Sequence, residues 1–381
     1  MQLKATFNLL LALAMVVCAD PAPADILTPE GQDAEYLFRF FADADGVQVV
    51  SHSATYDVEL ENDARLGFHF NHEEVTIPAI DAPPGSDDAV DAITTASRPI
   101  SGTGDAFDDF TKLRNEMQAL LDYGNVGVGY YLSKEFDYFA QQLKTTFTDD
   151  FLDQNFYVSL GGSYGWDAID PTEDVDSDTP SDSRKTLHGN VVLTQVLSPT
   201  AQIRVGFEVN RVRGLQHSPY RNVYADGGGV AEEHPDKRLR RDAFVRLNKY
   251  WRNRSSLKLS YRIYADDWGV KSHAIGARLS QYVGSAVGVR YRYRYYDQTA
   301  ADFYRPEYDS ADGVDGYLSG DYRLGAMKSH LFGTRLSIGL GSLSEDTVWL
   351  SQLGIHVNYE RYFNDSNFSA NVFETGLHYE F

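Results

Sequence analysis

The chain has 381 residues, with 34 lysines and arginines against 55 aspartates and glutamates, for a formal net charge of −21. A single cysteine excludes a disulfide framework. Beyond the first two dozen residues, no stretch approaches the roughly 18 consecutive apolar residues of a membrane helix.

Met1 to Ala19 carries Lys4 near its start and is apolar from Phe7 to Val17, the pattern of a secretory signal peptide. Small residues allow cleavage after Ala19 or Ala24, which assigns 1–24 to the signal and 25–381 to one domain. Cys18 raises a lipoprotein reading, but Val17 stands where a lipobox takes glycine, alanine or serine. After either cleavage the mature chain has no thiol chemistry. Acidity is concentrated in the first half: residues 25–184 hold 8 bases against 33 acids, whereas residues 185–381 hold 25 against 21. The 25 tyrosines and 21 phenylalanines exceed what a polar soluble domain needs. Transmembrane barrel strands combine high aromatic content with modest hydropathy, because only alternate residues are apolar.

Alternation of period two predicts strands at 35–42, 47–60, 64–77, 113–122, 125–133, 135–147, 155–166, 185–197 and 201–212. It continues at 238–251, 255–266, 272–282, 287–297, 316–324, 329–340, 348–361 and 367–381. Short polar turns such as Ser198-Pro199-Thr200, Arg252-Asn253-Arg254 and Gly284-Ser285 alternate with long loops at 78–112, 167–184, 213–236 and 298–315. A barrel with short periplasmic turns and long extracellular loops sorts its connections in this way. These features predict an all-β, antiparallel outer-membrane β-barrel of 14–16 strands. Seventeen candidates is an odd number, so one is false or split if the long loops are external. The weakest are 35–42, 125–133 and 316–324.

In the last strand Phe373, Thr375, Leu377, Tyr379 and Phe381 alternate with Glu374, Gly376, His378 and Glu380. The first set suits lipid and the second suits the lumen. A charge on the lipid face costs about 2–4 kcal/mol at the midplane, so alternation turns a ladder of bases inward. It comprises Arg204, Arg246, Lys258, Arg262, Arg278, Arg290, Arg292 and Arg294. Glu208, His356, Glu360, Glu374, His378 and Glu380 face inward by the same rule. The ladder is compatible with an anion-attracting pore or with a plugged interior of ion pairs.

The most distinctive strings lie at loop ends: Ser133-Lys134-Glu135-Phe136-Asp137-Tyr138, Ser218-Pro219-Tyr220-Arg221 and His234-Pro235-Asp236-Lys237-Arg238. Later ones are Tyr261 to Gly269 with Ser272-His273, and Tyr295-Tyr296-Asp297-Gln298 with Asp302-Phe303-Tyr304. Through these strings the chain resembles the uncharacterised outer-membrane family 3570 of domains of unknown function. Phe136 and Ala274 depart from the tyrosine and threonine expected there. The resemblance implies a barrel without assigned activity, often encoded near a flavin transferase, small lipoproteins and thioredoxin-like proteins. Outer-membrane lipid and small periplasmic or lipoprotein redox partners are therefore expected, with no cofactor and no nucleic acid.

Hairpin alternation places Asp137, Tyr220, Asp236, Asp267, Trp268, His273, Asp302 and Tyr304 at one end of the barrel. This rim could bind a cation or partner, or its acids could pair with Arg221, Arg238 and Arg305 to fix loops over the mouth. Adjacent Asp266 and Asp267 point to opposite faces of a strand, as do His69 and His72. Ser272, His273 and Asp302 supply residue types for a rim hydrolase, but no nucleophile elbow, zincin helix or phosphate loop is present. Gly227-Gly228-Gly229 reads as a flexible loop. The basic residues alternate with acids, which argues against a nucleic-acid surface. The sequence thus points to a non-enzymatic channel or envelope scaffold. An arginine-lined small-solute porin is its first alternative.

Overall fold

The computed structural model describes residues 29–77, 110–171, 181–225, 228–284, 286–343 and 348–381. The signal peptide, Cys18, Gly227, Ser285 and most of the 78–112 loop lie outside these residues. Strands in the first half are β1 (Pro29–Asp43), β2 (Gln48–Leu60), β3 (Ala64–Ile77), β4 (Phe110–Tyr123), β5 (Val126–Lys134), β6 (Tyr138–Phe151), β7 (Phe156–Ile169) and β8 (Asp182–Ser198). They continue with β9 (Ala201–Gly214), β10 (Asn222–Ala225), β11 (Gly228–Ala231), β12 (Lys237–Tyr250), β13 (Ser255–Asp266), β14 (Lys271–Val283), β15 (Val287–Gln298), β16 (Met327–Gly339), β17 (Leu353–Asn364) and β18 (Ser369–Glu380).

All but β10 and β11 form one closed antiparallel barrel of 16 strands, in which β18 pairs with β1 from Asp33↔Glu380 to Asp43↔Ala370. Closure removes the unpaired edges that hydrocarbon would leave unsatisfied. Phe68, Leu121, Leu143, Leu160, Val205, Leu259, Ile275, Leu336, Tyr359 and Leu377 are exposed around the outer surface. Each alternates with inward polar residues, so the exposed set forms the lipid-facing band. Among the described residues, no helix is long and apolar enough to cross a membrane.

The even count resolves the odd one. Segment 316–324 is not a strand: Leu318 and Leu324 are buried in two different loop clusters, and Tyr322–Leu324 forms a 3-10 turn. Its alternation reflects packing into two small cores rather than pairing along a sheet. The other two weak candidates are real, as β1 and β5. Strand 348–361 begins only at Leu353, because Val348–Ser351 makes a helical turn. The predicted 135–147 strand begins at Tyr138, which leaves Glu135-Phe136-Asp137 as the turn. The hairpin β10–β11 within the 213–236 loop was not predicted, since each arm has only four residues.

Phe381 shares its end of the barrel with tight turns at 61–63, 124–125 and 199–200. Several of these turns contain a residue in the left-handed region, such as Asp63 and Gly124, as tight hairpins require. Of the longer connections, 340–352 lies at the Phe381 end, and 78–109, 170–181, 215–236 and 299–326 leave from the other end. That end is extracellular by the barrel rule of short periplasmic turns.

Candidate functional site

The lumen wall is built by register. Residues directly opposite on neighbouring strands share a face, so Arg204↔Arg246, Lys258↔Arg278, Arg278↔Arg292 and Arg290↔Arg335 stand side by side. Two members of the predicted ladder are neutralised. Arg262 donates to Asp242 at 2.9 Å and Glu208 at 2.9 Å, and Arg292 to Glu360 at 2.8 Å.

The others have no acidic partner among the described residues. Arg204 donates to Thr194 Oγ1 at 3.1 Å, while Arg246 lies over the Phe244 ring and Arg294 over the Tyr296 ring. Lys258 is near enough to Arg278, Arg246, Arg290 and Arg204 to be repelled by each. Arg335, which sequence reasoning missed, extends this wall; its Nε is buried without a partner, as is that of Arg290. Alternation against exposed Leu336 would have found it.

The opposite wall is acidic. Asp33 and Glu35 on β1, Asp57 on β2, Glu73 on β3 and Glu116 on β4 face inward. In the strand order these lie about half a turn from β9 and β12–β14. Arg114 pairs with Glu73 and lies 3.8 Å from Glu116, and Arg39 meets Glu374 at 3.1 Å. Bases thus dominate one wall and acids the other, which sets a transverse field across the lumen.

The extracellular mouth is covered by folded loops with cores of their own. Trp268, Val270, Ala301, Phe303 and Leu324 form one cluster, and Val223, Ala225, Tyr308 and Leu318 another. Fully buried Glu232 joins the loops. It accepts from Ser319 Oγ at 2.8 Å, Gly320 N at 2.9 Å, Asp321 N at 3.1 Å, Ser218 N at 3.2 Å and Arg221 Nη1 at 3.3 Å. Burial alone would raise its pKa, but His234, Arg221 and Ser319 outweigh burial and hold it at about 2. Burial lowers the pKa of nearby His217.

Across the mouth, Tyr220 donates to Asp137 at 2.6 Å, which carries the 215–236 loop to the β5–β6 turn. Buried Lys112 pairs with Glu135 and, at 3.0 Å, with Asp137, beneath the Phe136 ring.

A family model described as "Protein of unknown function (DUF3570)" matches residues 91–349. The chain belongs to this family. Similar solved structures include a bacterial polysaccharide outer membrane secretin, with 9% identity, a TM-score of 0.48 and coverage of 94% of this chain and 100% of that one. Another is the outer membrane protein opdK of Pseudomonas aeruginosa, with 7% identity, a TM-score of 0.44 and coverage of 93% and 99%. A third is the loop L8 deletion mutant of OmpT from Vibrio cholerae, with 11% identity, a TM-score of 0.42 and coverage of 92% and 98%. No curated protein sequence matches the chain. The closed barrel with its apolar outer band is itself an outer-membrane architecture, and the DUF3570 chain is a bacterial outer-membrane protein.

The distinctive strings of this DUF3570 chain lie mostly in the loop cap. The eight rim residues sit at the extracellular end but do not form one ring. Asp137 and Tyr220 bond each other, while Asp267 accepts from Leu239 N at 2.9 Å. Trp268 packs on Phe303 and His234, with Arg238 over its ring at 4.1 Å, and Tyr304 borders that core. Asp302 N donates to Trp268 O at 2.8 Å, and Asp236 is exposed beside Lys237.

His273 is opposite Ile263 and faces lipid between the Tyr261 and Tyr295 rings. Ser272, its chain neighbour, faces the lumen, so Ser272, His273 and Asp302 do not assemble as a hydrolytic set. Arg221 meets Glu232 and Asp321, and Arg238 meets Asp266 at 2.5 Å. Arg305 bonds the Asp302 carbonyl rather than a carboxylate. Among the described residues, the trio close enough to share an ion is Asp33, His378 and Glu380, at the periplasmic end.

Proposed function

We propose that this protein is a non-enzymatic outer-membrane channel that favours small anions, with its entrance shaped by the folded extracellular loops. The observation that carries this reading is the wall of inward bases without acidic partners: Arg204, Arg246, Lys258, Arg278 and Arg290, continued by Arg335. Bases held only to stabilise a plugged interior would each meet an acid, as Arg262 and Arg292 do. A wall left positive raises the local concentration of anions and lowers the barrier to their passage. The acids across the lumen orient a dipolar or zwitterionic solute and oppose small cations less than a uniformly basic ring would.

The test is reversal potential across planar bilayers under a salt gradient. Wild-type barrel is expected to prefer chloride over potassium, and Lys258→Glu with Arg278→Glu to shift that preference toward potassium. A folded barrel without stable conductance, or unchanged selectivity in the variant, refutes the reading. The flavin-linked or thioredoxin-like partner draws its support from the family resemblance and is tested separately below.

A further inference from the structure

The outer face carries a second basic cluster, unrelated to the lumen. Lys185 on β8, Arg211 and Arg213 on β9, and Lys237 and Arg241 on β12 are all exposed. They share the parity of Leu187, Val191, Val205, Phe207 and Val245, which are exposed on the lipid-facing side. Register sets Lys185, Arg213 and Lys237 in one row, Arg211 between Leu187 and Leu239, and Arg241 beside Val209. Residues rise about 3.4 Å along a strand, so Arg211 lies about 7 Å and Arg241 about 13 Å farther along its strand from the top row. Trp166, opposite Lys185, and Tyr164 stack at 5.8 Å along its edge, as aromatics do at a membrane interface.

Like charges directly opposite on adjacent strands repel. Among the described residues only Lys237 has an acid nearby, exposed Asp236 at 3.8 Å. In a chain of net charge −21, such a cluster is not a consequence of general basicity.

We infer that this patch binds the phosphate groups of anionic lipid headgroups in the outer leaflet. The position selects lipid as the occupant. Lys185, Arg213 and Lys237 stand where the apolar band ends, while Arg211 and Arg241, set among Leu187, Leu239 and Val209, reach the same headgroup layer by extending their stems upward along the outer face. Basic side chains at that depth gain from headgroup phosphate while their stems lie along apolar surface. A soluble anionic protein would have to displace the lipid that the flanking Leu187 and Phe207 contact.

Native mass spectrometry of the full-length barrel in mild detergent tests this, with lipid A carrying two phosphates compared with the same lipid stripped of both. Wild type is expected to retain the phosphorylated form about tenfold more. K185Q/R211Q/R213Q/K237Q/R241Q is expected to lose that preference, and K249Q/R252Q/R254Q at the periplasmic end to keep it. Heat-modifiable electrophoretic mobility establishes that each barrel is folded. Should the fivefold variant not fold, R211Q/R213Q alone is expected to reduce the preference by about fivefold. Equal retention of both lipids by wild type overturns the inference. An undiminished preference in whichever variant folds overturns it as well.

Discussion

Replacing Glu232 with glutamine is expected to loosen the loop cap while leaving the barrel closed. The carboxylate accepts from three backbone amides, Ser319 and Arg221 with its side chain fully buried. Glutamine keeps the size but loses the charge, so one terminus presents N–H groups to donors and Arg221 loses its buried partner. Breaking a buried ion pair costs about 3–5 kcal/mol. The pKa gives a similar magnitude: a fall from 4.5 to about 2 corresponds to about 3 kcal/mol at about 1.4 kcal/mol per unit.

Because the folded-state value is the lower one, this stability is present above pH about 4.5 and is lost as pH falls toward about 2. His217 acts in the same direction, since its lowered pKa favours the neutral ring and withdraws stability as pH falls below its ordinary value of 6.5. The assay is hydrogen exchange, read peptide by peptide. E232Q at pH 7 should deprotect 215–236 and 299–326 together while β13 and β14 stay protected, and wild type should show the same loss on acidification. Loops as protected in E232Q as in wild type, or protection unchanged down to pH 3, would refute the account.

Three further outcomes are expected. Leu259→Lys places a charge on the lipid face and should cost about 2–4 kcal/mol in urea unfolding from vesicles, whereas Ser260→Lys, one residue on and facing the lumen, should cost far less. Gly269 has φ +87, and a Cβ there would lie 2.2 Å from the Asp302 carboxylate; Gly269→Ala should therefore destabilise the β13–β14 turn by more than about 1 kcal/mol, seen as faster proteolysis within 299–326. Gentle extraction should recover a flavinylated or thioredoxin-like protein with the barrel, and clean isolation of the barrel alone would remove the redox-partner proposal.

Much of the fold was legible in the sequence because a membrane barrel enforces period two. Lipid penalises charge on one face of every strand, so Arg290, Arg292 and Arg294 reveal their direction by parity alone. The failures occur where that constraint lapses. Segment 316–324 alternates, yet its apolar residues serve two loop cores, and single-strand periodicity does not distinguish these from a sheet. The hairpin β10–β11 is too short to give a periodic signal. Sequence also placed the rim residues at one end, since hairpin counting fixes the end of each turn.

The amino-acid order by itself determined the barrel and the inward direction of the bases, because both follow from local alternation, whereas the even strand count of the closed sheet decided the end at which the long loops gather. Tertiary structure decided which charges meet. Arg292 and Glu360 are 68 residues apart and become partners only through the register of β15, β16 and β17. Glu232 reaches Ser319 across 87 residues through loops that pack against each other. Ion pairing depends on distance in space to within an ångström or so, and alternation carries no information about which strand lies opposite which.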